Sequence, residues 1–85
     1  MKELKYVITD REGIHARPAG QLVKEANKFE SAIKIGKGEK SADAKRIFGV
    51  MGLAAKKDEE IFMSAEGSDE AAAIEALEVF LKENL

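Results

Sequence analysis

The chain has no cysteine and no tryptophan, and it has only one histidine, one proline and one tyrosine. Without cysteine there can be no disulfide, no thiol nucleophile and no cysteine-based zinc site, and such usage suits a reducing cytoplasm. A single histidine argues against a transition-metal centre, which draws on several His or Cys ligands. No apolar run approaches the roughly 20 residues that cross a bilayer. The segment Met1-Lys2-Glu3-Leu4-Lys5 lacks the apolar core of a signal peptide. A cytoplasmic protein with no direct membrane insertion is expected. Excess charge of either sign is also missing: 14 basic and 16 acidic residues leave a formal net charge of −2. Without a basic balance, and with one tyrosine and four phenylalanines for base stacking, nucleic acid is not an expected partner.

What is present describes a small folded domain. Hydrophobic residues make up 45% and charged residues 35% of 85 positions, which separates the chain from disordered sequences. One domain spanning 1–85 is expected, burying about 60% of its unfolded surface and so only marginally stable.

The periodicity gives an order of elements. Leu4, Tyr6 and Ile8 alternate with Glu3 and Lys5, predicting a strand over 2–8 with Val7 as the exception. Thr9 to Gly13 reads as a polar loop. Ala16, Ala19, Leu22, Val23 and Ala26 recur at helical spacing and predict a helix over 16–28, with Pro18 in the first turn, where a missing N–H costs no intrahelical bond. Ile33 and Ile35 mark a second strand over 32–35, Gly36-Lys37-Gly38 a turn, and 40–44 a third strand with Ala42 and Ala44 inward. Arg46 to Met51 reads as a short helix, followed by a polar turn at Lys56-Lys57-Asp58-Glu59. Ile61, Met63 and Ala65 mark a fourth strand. Ser68 is the expected N-cap of a last helix, with Asp69 and Glu70 in its first turn and Ile74, Leu77 and Leu81 as its buried stripe, helped by Ala73 and Phe80. The order β-α-β-β-α-β-α predicts an α+β fold of two layers, a four-stranded antiparallel sheet covered on one face by helices. Val7 and Phe62 would lie on the open face.

His15 falls where strand spacing gives way to helix spacing. The first N–H groups of a helix lack intrahelical acceptors and sit at the positive end of its dipole, so an anion there is stabilised. Arg17 adds a permanent cation whose fork of donors suits phosphate oxygens. A neutral imidazole is a nucleophile, and an ordinary histidine is largely neutral at pH 7. Spacing alone leaves two readings open: a phosphate-accepting histidine, or a polar capping residue beside a solvated arginine.

The segment Gly13-Ile14-His15-Ala16-Arg17-Pro18-Ala19 resembles the active-site signature of HPr, the histidine-containing phosphocarrier family of the bacterial phosphoenolpyruvate:sugar phosphotransferase system. Lys45-Arg46-Ile47-Phe48-Gly49-Val50-Met51 and Ala65-Glu66-Gly67-Ser68-Asp69-Glu70 resemble its second and third blocks, so the resemblance spans essentially the whole chain. It implies the open-faced β-sandwich of that family. It also implies that His15 takes a phosphoryl group on Nδ1 from phosphorylated enzyme I and passes it to IIA domains of sugar permeases. Arg17 would clamp the phosphoryl oxygens with the backbone N–H groups of Ala16 and Arg17, without metal or cofactor. Such a chain is a transfer component rather than an enzyme with a small-molecule product, and it is expected to be a monomer. Ile47, Phe48 and Met51 would form an apolar docking patch completed by Gly20, Lys24 and Asn27, with Lys45 and Arg46 steering acidic partners. Without the resemblance, the same three apolar residues read more simply as core.

Three positions depart from the family pattern. Where many relatives from low-GC Gram-positive bacteria carry a regulatory serine that a kinase phosphorylates, this chain has Arg46, which has no hydroxyl, so it is expected to escape that switch. Glu12 stands where a small polar residue is more usual. Its carboxylate could accept from an imidazole N–H or repel phosphate, although a solvent-pointing side chain is the simpler expectation. Gly20 replaces a bulkier residue. Two other readings stay open: a regulatory binding protein with the same fold, and a paralogue serving a regulatory or nitrogen-related phosphotransferase branch.

Overall fold

The alternation in the strands has a direct consequence for the sheet. In a computed structural model describing all 85 residues, β1 (Lys2–Val7), β2 (Ala32–Lys37), β3 (Lys40–Asp43) and β4 (Glu60–Glu66) form one antiparallel sheet in the order β1-β4-β2-β3. Side chains two apart share a face, and the register aligns the apolar ones: Leu4 opposes Met63, Tyr6 opposes Ile61, Ile33 opposes Ala65 and Ile35 opposes Met63. Ile33, Ile35, Ile61, Met63 and Ala65 are fully buried as a result.

The helices supply the second layer. Ala19, Leu22 and Ala26 of α1 (Ala16–Ala26), Val50 of α2 (Ile47–Gly52) and Ala73, Leu77 and Leu81 of α3 (Glu70–Asn84) face the sheet and join its inner residues in one continuous core. Burying a Leu or Ile side chain stabilises by roughly 1.5–3 kcal/mol, and 19 buried apolar residues together offset the entropy lost in ordering the chain. No helix is long and apolar enough to cross a membrane.

Several boundaries differ from the periodicity. β2 continues through Gly36 to Lys37, leaving a two-residue turn, Gly38-Glu39, because Gly36 pairs with both Ser41 and Phe62. Phe62, on the open face as expected, is half-buried there: a Cβ on residue 36 would lie 2.0 Å from its Cζ, so the ring covers a site that only glycine leaves vacant. α1 stops at Ala26 with Asn27 as C-cap, short of residue 28. Arg46 caps α2 rather than opening it. Asp69, not Ser68, stands at the N-cap of α3, and its side chain makes no capping bond. The carboxylate turns away to accept from the Glu30 N–H (2.8 Å), the Ser31 N–H (2.9 Å) and the Ser31 hydroxyl, tying the loop before β2 to the start of α3.

Candidate functional site

The loop before α1 is closed by its own backbone. Asp10 Oδ1 accepts from the Glu12 N–H at 2.8 Å, and the Gly13 N–H donates to the Asp10 carbonyl at 3.0 Å. Gly13 then adopts φ +68°, in the left-handed region that glycine enters freely. It packs so closely on the loop after α2 that a Cβ would lie 2.3 Å from the Ala55 carbonyl oxygen. The next N–H, of Ile14, donates to that oxygen at 2.9 Å. The chain thus enters α1 at a position set from both sides.

His15 is the N-cap of α1, with extended backbone (φ −97°, ψ −179°) and a carbonyl that accepts from the Ala19 N–H at 2.9 Å. No side chain caps this helix, and Pro18 has no N–H to offer. The donors left at the helix start are therefore the Ala16 and Arg17 N–H groups. No acidic residue lies in the first turn to neutralise them. The imidazole is partly open, with 37% of its surface exposed. His15 and Arg17 line one shallow cavity of about 200 Å³ with Asp10, Pro18, Gln21 and Asn84. Arg17 forms none of the ion pairs within the chain, so its guanidinium is available to an incoming anion. An imidazole and a guanidinium thus share one opening at a helix start, an arrangement that suits an anion.

Glu12 stays largely in solvent, as expected, yet its carboxylate comes near the imidazole. Its Oε2 lies 3.4 Å from His15 Nε2, although the side chain remains 69% exposed. The cause is the Asp10 turn, which folds residue 12 back toward residue 15.

Ile47, Phe48 and Met51 are all exposed, Phe48 to 85%, while Val50 alone of α2 enters the core. The simple core reading of these three residues therefore fails. Gly20 lies beneath this patch: a Cβ there would be 3.7 Å from Ile47 Cδ1. Since Gly20 is one helical turn beyond Ala16, the apolar patch borders the histidine end of α1. Lys24 is exposed on the last turn of α1. Asn27 is also exposed, and its Nδ2 donates to the carbonyls of Val23 (2.9 Å) and Lys45 (3.3 Å), binding α1 to the approach of α2. Lys45 points inward, its Nζ donating to the Phe29 carbonyl at 2.7 Å, so it is poorly placed to steer a partner. Arg46 is 82% exposed, with Nε 3.8 Å from Asp43 Oδ2.

The periodicity missed Asp10, Gln21 and Asn84 as lining residues. Gln21 carried a signal, being four residues past Arg17 on one helix face. Nothing local marks Asn84, which reaches the cavity only because α3 ends there.

Both the sequence and the fold have known counterparts. A family model described as the PTS HPr component phosphorylation site matches residues 2–83. Over 83 residues the chain is 48% identical to the phosphocarrier protein HPr of Lysinibacillus sphaericus, covering 98% of this chain and 94% of that one. The structure of HPr-C-His from Thermoanaerobacter tengcongensis is similar at a TM-score of 0.93 and 41% identity, over 98% of this chain and 93% of that chain. An HPr dimer from the same organism matches at a TM-score of 0.78 and 41% identity, over 98% and 95% of the two chains.

Proposed function

Because this chain belongs to the HPr family, we propose that residues 1–85 act as one cytoplasmic domain that accepts a phosphoryl group on His15 from phosphorylated enzyme I and delivers it to IIA domains of sugar permeases. The observation that carries this reading is the joint placement of His15 and Arg17 on one cavity at an uncapped helix start. Nδ1 attacks phosphorus, and the bond to the donor breaks with its electron pair staying on the donor. The phosphoryl oxygens are met by the Arg17 guanidinium and the Ala16 and Arg17 N–H groups, which stand in place before the charge arrives. Positioning and fixed dipoles supply the catalysis, with no metal or cofactor required.

Ile47, Phe48 and Met51, with Gly20, Lys24 and Asn27 around them, form the docking surface for both partners. Its exposure beside the histidine end of α1 supports this role. The carrier acts as a monomer on this reading, each protein partner meeting the same face in turn.

The test is to supply phosphoenolpyruvate and enzyme I and to measure acid-labile phosphate on the chain. Native protein is expected to be labelled and His15→Ala to remain unlabelled. Arg17→Ala should be labelled at least about tenfold more slowly, as for loss of a charge-assisted contact to the reacting group. Labelling that survives His15→Ala would refute the assignment.

A further inference from the structure

The Asp10–Gly13 turn places a carboxylate on one particular nitrogen of the imidazole. Glu12 Oε2 is 3.4 Å from Nε2. The turn behind it is held by the Glu12 N–H on Asp10 Oδ1 (2.8 Å), and the His15 N–H closes it onto the Gly13 carbonyl (3.1 Å). The other charged groups on the cavity are Asp10 and Arg17. In a neutral imidazole one nitrogen carries the proton and the other the lone pair. An ionised carboxylate can only accept, so it favours the proton on the nitrogen it faces.

We propose that Glu12 is a positioning residue that keeps the proton of His15 on Nε2, leaving Nδ1 as the attacking atom and later the leaving atom. This inference rests on the phosphocarrier reading. On the way in, the Nδ1 lone pair forms the bond to phosphorus as the phosphorus–donor bond breaks and its electron pair leaves with the donor; Nε2 keeps its hydrogen, and the ring becomes cationic. On the way out, the P–Nδ1 bond breaks with its electron pair returning to Nδ1, as a nucleophile of the acceptor bonds to phosphorus. Because Nε2 is still protonated, the leaving group is neutral imidazole rather than the far more basic imidazolate. The Glu12 carboxylate stabilises the cationic phosphoimidazole between the two steps. Its position beside Nε2 limits repulsion of a phosphoryl group carried on Nδ1, where Arg17 and the helix start supply opposite charge.

The contact is exposed, so a modest effect is expected. At a pH where the ring is neutral, 15N chemical shifts of His15 report the ratio of Nε2–H to Nδ1–H tautomers. Glu12→Ala should lower that ratio about two- to fivefold, within the range of one solvent-exposed charge contact. Glu12→Gln, whose amide oxygen can still accept, should fall between native and Ala. Phosphoryl transfer onto His15 should slow in the same order, because a smaller fraction of the rings then offers a free Nδ1 lone pair. An unchanged tautomer ratio in Glu12→Ala would overturn the role of Glu12. Failure of the native chain to be labelled by enzyme I would instead overturn the phosphocarrier reading, and the tautomer measurement would stand by itself.

Discussion

Gly13 shows how much one residue settles at this site. It is held at φ +68°, against the Ala55 carbonyl. An alanine there would have to bear left-handed strain of roughly 1–2 kcal/mol and also push backbone aside. Gly13→Ala should therefore destabilise by about 2–4 kcal/mol in urea denaturation. A loss below about 0.5 kcal/mol, the size of an ordinary surface change, would show that the turn is not held as described. Arg46 is a different kind of single-residue determinant. Its guanidinium lies out in solvent near Asp43 and no hydroxyl stands at position 46. Residues 45–56 carry no hydroxyl at all, so treating the chain with ATP and a serine kinase that acts on relatives should leave the whole protein at its unmodified mass. A phosphate found on Ser41, the nearest hydroxyl in the sequence, would mean that a different residue has taken over the switch.

Helices α2 and α3 divide their apolar side chains between core and surface differently. α3 places Leu77 wholly in the core, whereas α2 leaves Phe48 85% exposed. Leu77→Ala should cost about 2–5 kcal/mol of stability, through lost burial and a residual cavity. Phe48→Ala should change stability by no more than about 0.5 kcal/mol. It should nevertheless weaken binding to enzyme I roughly tenfold, as for an aromatic at the centre of an interface. Chemical denaturation and calorimetric titration measure the two effects separately. Phe48→Ala unfolding as readily as Leu77→Ala would place the ring in the core after all. The same division explains the β2–β3 hairpin. Gly36 looked like a turn because glycine favours turns, but the Phe62 ring needs the space in front of it, and cross-strand packing extended the strand past it.

Across the whole molecule, carboxylates fasten segments far apart in the chain. The Lys56 N–H, and next the Lys37 ammonium, hold Glu59 below its ordinary 4.5. The Ser31 hydroxyl, and next the Glu30 and Ser31 N–H groups, hold Asp69 below its ordinary 3.8. A carboxylate whose pKa is lowered by folding contributes stability that is complete above the unfolded value and lost as pH falls through the folded one. Denaturant midpoints should thus be level from neutrality down to about pH 5 and fall below it. The fall should be shallower in Asp69→Asn and in Glu59→Gln. Slopes equal to the native one in both variants would mean that these two groups do not drive acid unfolding.

The order of elements, the inward faces of the strands and the His15–Arg17 pair were all legible along the chain, since each depends on residues within a turn or two of one another. Asn84 on the cavity, Ile47 over Gly20 and Asp69 bonded to Ser31 instead of capping its own helix came from packing alone. Periodicity records which side of an element avoids water, and a motif records which chemistry is available within a few residues. Neither carries the distance between groups some seventy positions apart. That distance is decided when the helices close over the sheet, and a polar side chain such as Asp69 then takes the bonds that burial leaves without water.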